Sequence, residues 1–177
     1  MSNPLEMLEV VDENDNVIDL ENRLRIHQEG LLHREIHIWF ITPNGEIILQ
    51  HRSKNKDTNA DKLDATVGGH VEPGMSYEAT AIKECKEETG LDVEVQQLVA
   101  VFDKKMHAHP PQNVYVYKMV FHCTAITETI HTGFDVLDAQ YFNMNELPPL
   151  SEDRILASQI QLVYDKILSG DNCIYVD

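Results

Sequence analysis

Apolar and polar positions alternate with two periods along this chain, and the switches between them mark its elements. Leu8–Val11 and Asn16–Leu20 are short apolar runs around Asp12-Glu13-Asn14-Asp15-Asn16, whose side chains favour a turn, so the pair predicts a hairpin. Glu21–Gln28 reads as a short helix ending near Gly30. Glu35–Thr42 is β-branched and aromatic, Pro43-Asn44-Gly45-Glu46 is a turn signal, and Ile47–His51 is a second strand expected to pair antiparallel with the first. Ser53–Lys62 is polar and aperiodic, as a surface loop would be. Between Ser76 and Thr89 the period becomes helical: there is no Pro or Gly, Ala79, Ile82 and Cys85 recur on one side, and Gly90 stands where a left-handed cap ends a helix. Val93–Phe102 and Val114–Cys123 read as strands joined through His107-Ala108-His109-Pro110-Pro111, and Val136–Phe142 as another. Ser151–Leu168 reads as a helix with Ser151 as N-cap, acids in its first turn and Gly170 after it.

Strands outnumber helices and the central helix falls between strands, so the class is α+β with a mixed sheet and flanking helices. The 177 residues, 42% of them apolar, suit one domain over 1–177 with one core. The formal net charge of −16 repels polyanions, which predicts no nucleic-acid partner and no binding to an anionic membrane surface. A small anionic substrate would then need a metal ion or a few placed cations. Apolar runs fall short of the ~18 residues of a membrane span, and the N-terminus has no basic-then-apolar leader pattern, so a soluble, unprocessed protein is expected. Three cysteines, Cys85, Cys123 and Cys173, form no CxxC pair and favour a reducing cytoplasm.

The candidate chemistry lies in Gly68–Leu91, GGHVEPGMSYEATAIKECKEETGL. On a helix Glu84, Glu87 and Glu88 stand at i, i+3 and i+4, so their carboxylates share a face, with Ala79, Ile82 and Cys85 expected opposite. Like charges at this spacing repel, and a hard divalent cation such as Mg²⁺ reverses the sign by taking carboxylate oxygens together with substrate phosphates. Gly68-Gly69 lets the backbone come close and offers carbonyl oxygens as further ligands. Spacing alone also fits a solvated acidic face interleaved with Lys83 and Lys86.

The same residues resemble the Nudix signature. Gly69, Glu84, Cys85, Glu87, Glu88, Gly90 and Leu91 stand at its offsets, and Gly68, Glu72, Gly74, Glu78 and Ala79 match its usual form. The resemblance implies the Nudix fold, an α/β/α sandwich, with a core over about 8–147 and a C-terminal helix over about 151–168. It further implies hydrolysis of a small-molecule diphosphate, with Mg²⁺ (or Mn²⁺) held by Glu84, Glu87, Glu88 and the Gly68 carbonyl, and one of the acids acting as base. Glu128 and Asp135 are candidates for a further base. Family members are often dimers, so a homodimer is the protein partner implied. Met75 stands where the family has Glu and Lys83 where it has Arg, an ion pair bracing loop and helix; both members have changed together, which predicts an altered brace.

Gly30-Leu31-Leu32-His33-Arg34, Ile48–Ser53 with Lys56, Asp64-Ala65-Thr66 and Gly69-His70 are similar to the type I isopentenyl-diphosphate isomerase branch. Those isomerases use a cysteine at the position of Gly68 and acids from the strand matching Asn113–Phe121, and this chain has neither, so isomerase activity is not expected. His33 and His70 match metal-binding histidines of that branch, a second cation site in outline. Arg52, Arg34, Lys56 and His70 are the candidate substrate contacts, because a guanidinium grips phosphate bidentately. Each of the cations could equally pair with nearby acids. Trp39, Tyr115 and Tyr117 are read as core aromatics, and Cys85 as a packed thiol.

Overall fold

The computed structural model describes residues 5–42, 44–54, 59–127 and 136–177. The expected hairpin is present as β1 (Met7–Val11) and β2 (Val17–Asn22), paired antiparallel. Asp12 closes its turn by accepting the Asn14 and Asn16 amides at 2.9 Å each, and Asp15 sits at φ +62°. α1 (Arg23–Glu29) follows, with the Asn22 side chain accepting from the Arg25 amide and Gly30 in the left-handed region at its end.

β3 (Leu32–Ile38) is central to the main sheet. It pairs parallel with β8 (Tyr115–Ala125) over its whole length, antiparallel with β6 (Val67–His70), and touches β1 at Val10–His33. β7 (Val93–Asp103) pairs antiparallel with β8, and β10 (Tyr175–Val176) parallel with β7, so the seven-stranded sheet is mixed as expected. β4 (Glu46–Arg52), β5 (Leu63–Asp64) and β9 (Val136–Asn143) form a separate three-stranded antiparallel sheet.

The expected antiparallel pairing of Glu35–Thr42 with Ile47–His51 is therefore corrected. The two segments share one bridge, Ile41–Ile47, and the bond from the Ile48 amide to the Phe40 carbonyl, before diverging into different sheets. Ile47–His51 cannot pair along β3 because β8 and β6 already take its hydrogen bonds on both sides, and beyond it the Thr66 hydroxyl accepts the Phe40 amide.

β3 and the residue that follows it, Trp39, serve two layers. Ile36 and Ile38 join Val67, Val71, Ala81, Cys85 and Phe121 in a core under α2 (Tyr77–Thr89). Trp39 joins Leu49, Ala100, Phe102, Val120, Ile160 and Val163 in a second core, under α3 (Ala157–Ser169). The helix predicted from Ser151 begins six residues late, at Ala157, and its N-cap position, Leu156, makes no side-chain cap bond. Ser151 is buried, its amide donates to the Leu63 carbonyl, and its own carbonyl receives the Arg154 and Ile155 amides. That turn sends Arg154 inward to Asp64 and Glu35, contacts a helix starting at Ser151 would forgo.

Candidate active site

Glycine makes room for the three acids. The Ser76 hydroxyl caps α2 by accepting the Ala79 amide at 3.1 Å, and Gly90 at φ +72° ends it. Its buried residues are Thr80, Ala81, Cys85 and Thr89, while Ile82 is exposed, which corrects the expectation that Ala79, Ile82 and Cys85 form the packed side opposite the acids. Glu84 and Glu88 lie within the packed arc beside Ala81 and Cys85. They can do so because the backbone they meet on β6 carries no side chains: a Cβ on Gly69 would stand 2.5 Å from the Glu84 Cδ. The Gly68 amide and the Gln50 side-chain amide donate to the Glu88 carboxylate at 3.2 and 3.3 Å. Glu87 lies at the rim, 60% exposed. Burial pushes the Glu84 carboxyl above the usual range, with the neighbouring Lys83 pulling the other way.

Lys83 takes over the brace. Its ammonium lies 3.1 Å from Glu72 in the loop and 3.3 and 3.2 Å from Glu84 and Glu87 on the helix. Met75 packs against the core under α2 instead of carrying a charge. The acid end of the loop-to-helix link has moved from position 75 to position 72.

The candidate cations divide. Arg52 is buried and its guanidinium lies 2.8 Å from Asp64. Arg34 ties β3 to the hairpin through Glu9 at 2.9 Å and Asp15 at 2.7 Å, with Tyr77 beneath it. Lys56, Glu128 and Asp135 lie outside the described residues. Trp39 and Cys85 are buried, and burial pushes the Cys85 thiol up. A cation that sequence reading passed over, Arg154, lies 2.5 Å from Asp64 and 2.8 Å from Glu35, with Nη2 3.2 Å from where a Gly68 Cβ would be. Its position inside a segment read as helix, next to acids expected in a first turn, hid it.

His70 joins His33 and a third imidazole, His27 on α1, with ring centroids 5.2–5.3 Å apart and ligand atoms all within 4.8 Å. His33 Nδ1 is 2.9 Å from the Leu31 carbonyl; with that nitrogen donating, Nε2 is the acceptor of the ring, and it is buried without a hydrogen-bond partner. Three neutral imidazoles could hold one divalent cation. Desolvation holds His33, His37 and His70 below the usual imidazole range, and His109 at about 4. The unfolded chain protonates these groups near pH 6.5 and the folded chain does not, so stability falls as pH drops below about 6.5. With a chelator present, the melting temperature is expected to decline as pH falls from about 6.5 to 5; a flat profile over that window would contradict the neutral assignment.

The NUDIX domain model matches residues 31–163, well over half of the chain. The chain belongs to the Nudix family. YjhB of Bacillus subtilis, provisionally named an ADP-ribose pyrophosphatase, is 38% identical over 111 residues, 63% of this chain and 53% of that protein. Isopentenyl-diphosphate Delta-isomerase 2 of Photorhabdus laumondii is 30% identical over 168 residues, 93% of this chain and 92% of that one. A crystal structure of a UDP-X diphosphatase superposes with a TM-score of 0.68 at 29% identity, covering 82% of this chain and 66% of that chain. The chain spans about half the length of the first curated relatives it matches. No described helix is long and apolar enough to cross a membrane. Gly68 carries no thiol, and a side chain there would crowd Arg154, whose Nη2 lies 3.2 Å from the Cβ position. β8 carries Lys118 and no acid.

Proposed function

We propose that this Nudix chain hydrolyses a diphosphate linkage in a small molecule, a nucleoside diphosphate joined to another moiety. The observation that carries the reading is the cradle: Glu84 and Glu88 are seated against side-chain-free backbone at Gly68-Gly69, with a half-buried Glu84 that shares the one Lys83 ammonium with Glu72 and Glu87. That donor set of carboxylates plus a carbonyl fits a hard divalent cation, Mg²⁺ or Mn²⁺, held by Glu84, Glu87, Glu88 and the Gly68 carbonyl. Such a cation supplies Lewis-acid polarisation of a phosphoryl oxygen and a more acidic bound water. Glu87, the most exposed of the three, is suited to accept a proton from that water, and Lys83 holds its carboxylate toward Glu84. Arg52 is the proposed phosphate contact, with Lys56 and His70 at the margins, and Arg34 fixes the hairpin beside the loop. The names of the ADP-ribose and UDP-X relatives support the substrate class. A cytoplasmic homodimer is the setting proposed with it.

The test is phosphate release from nucleotide, sugar-nucleotide and prenyl diphosphates with Mg²⁺ or Mn²⁺, wild type beside Glu87→Gln. Turnover that vanishes in the variant is expected. Ligand-induced stabilisation without turnover across the panel would instead make the chain a diphosphate-binding domain, and alkene proton exchange would restore the isomerase reading.

A further inference from the structure

Along β4, successive residues turn to different cores: Ile47 and Leu49 join the one under α3, and Ile48 the one under α2. Alternation gives Gln50 the face of Ile48, in a row where an aliphatic side chain would be the ordinary filler. Gln50 is nevertheless 2% exposed, with its backbone in register with Asp64 on β5 and Ala139 on β9. A buried amide costs free energy unless it is hydrogen-bonded. Gln50 Nε2 finds its acceptor across the interior, on a residue 38 positions away: it donates to Glu88 Oε2 at 3.3 Å.

The acids of α2 are held by two kinds of donor. Lys83 grips Glu84 and Glu87 with one ammonium, at 3.3 and 3.2 Å, and so sets a positive charge beside both carboxylates. Glu88 receives two neutral donors, the Gln50 side-chain amide and the Gly68 backbone amide at 3.2 Å, and both bonds end on Oε2, neither on Oε1. A neutral donor fixes the direction of a carboxylate and adds no charge that would repel a cation. Without it, a half-buried Glu88 would be free to turn away from Glu84, its like-charged neighbour one helical turn back. We propose that Gln50 is a positioning residue for the metal site, acting through Glu88: its amide holds Oε2 and leaves Oε1 for the divalent cation. The assignment rests on the reading of Glu84, Glu87 and Glu88 as cation ligands, but it needs neither turnover nor a particular diphosphate. It also makes the three-stranded sheet, through β4, a support of the acidic helix.

Titration with Mn²⁺ alone, with the free ion followed by its electron paramagnetic resonance signal, tests the role without a substrate. Gln50→Met and Gln50→Leu lack the donor and suit the row of Ile48; each is expected to weaken Mn²⁺ binding about tenfold or more, while Gln50→His, which keeps a neutral N–H, stays within about threefold of wild type. In Glu88→Gln the donor has already lost its ionised acceptor, so adding Gln50→Met there should cost less than about twofold further. In hydrolysis, Gln50→Met should need at least about tenfold more Mg²⁺ for half-maximal rate and regain a kcat within about threefold of wild type when Mg²⁺ saturates. Melting in EDTA shows which of the two donor-free variants is folded, and either one carries the test. Wild-type Mn²⁺ affinity in a folded donor-free variant, full additivity with Glu88→Gln, or a kcat that no Mg²⁺ concentration restores would overturn the positioning role and leave the hydrolase reading in place. Mn²⁺ binding that depends on Gln50, in a chain that hydrolyses no diphosphate, would refute the hydrolase reading and keep the role.

Discussion

Glu84→Gln is expected to lower kcat for diphosphate hydrolysis by about 100- to 1,000-fold, the cost of removing one preorganised charge-stabilising group from a transition state, while leaving the metal-free protein at least as stable as wild type. The two effects have opposite signs for one reason. In the metal-free fold Glu84 is 16% exposed, lies on the same helix face as Glu87 and Glu88, and has its carboxyl pushed above the usual range by burial. An acid with a raised folded value contributes stability at low pH and loses it as pH rises through that value, so at neutral pH its charge is a burden on the fold. Glutamine keeps the volume against Gly69 and removes the charge. Kinetics with saturating Mg²⁺, beside thermal melts in EDTA and in Mg²⁺, read both effects; the Mg²⁺-induced rise in melting temperature should shrink in the variant. A variant that melts several degrees lower in EDTA would show that Glu84 is structural, and one that keeps wild-type kcat would remove it from the metal site.

Asp64→Asn is expected to give the largest loss of stability, about 3–5 kcal/mol, because it strips the shared carboxylate from two buried guanidiniums. Asp64 is 0% exposed, with Arg52 at 2.8 Å, Arg154 at 2.5 Å and the Ala65 amide at 2.8 Å. Arg154 would retain Glu35, but Arg52 would lose its carboxylate partner in a low-dielectric interior. For a chain of this size the loss corresponds to a fall in melting temperature of roughly 6–20 °C. The exposed Arg25, paired with Glu21 and Glu29 at the surface, is the control, and Arg25→Ala should leave the melting curve in place. Equal shifts for the two substitutions would contradict the placement of Asp64.

The local part of this fold was legible in the sequence because its signals are local. Asn22, Gly30, Ser76 and Gly90 cap α1 and α2 through bonds spanning three or four residues, and Asp12 closes its own turn. The Glu84, Glu87 and Glu88 pattern was visible for the same reason, and the backbone glycines opposite it belonged to the same motif. What escaped was set by partners far along the chain. Whether Ile47–His51 pairs with the preceding strand or with residues 136–143 is decided by sheet assembly, and no turn signal encodes it. The late start of α3 follows from the pull of Asp64 and Glu35 on Arg154, and Arg34 became a structural clamp because Asp15 lies within reach only after the hairpin folds. His27 joined the histidine cluster from a helix position with no motif spacing to His33 or His70.

The separation of 90 positions between Asp64 and Arg154 also sets an order of events during synthesis. At about 5–20 residues per second, a ribosome delivers Arg154 roughly 5 to 20 seconds after Asp64. Until then Asp64 and Glu35 have no Arg154 to fold against, and the parallel partner of β3, β8, has itself only recently emerged. The hairpin and α2 can form early from neighbouring residues, but the interior beneath the glycine strand stays wet until Arg154 and the residues after it arrive. Stalling translation just before residue 154 should therefore yield a nascent chain with a formed acidic helix and an open, protease-sensitive floor.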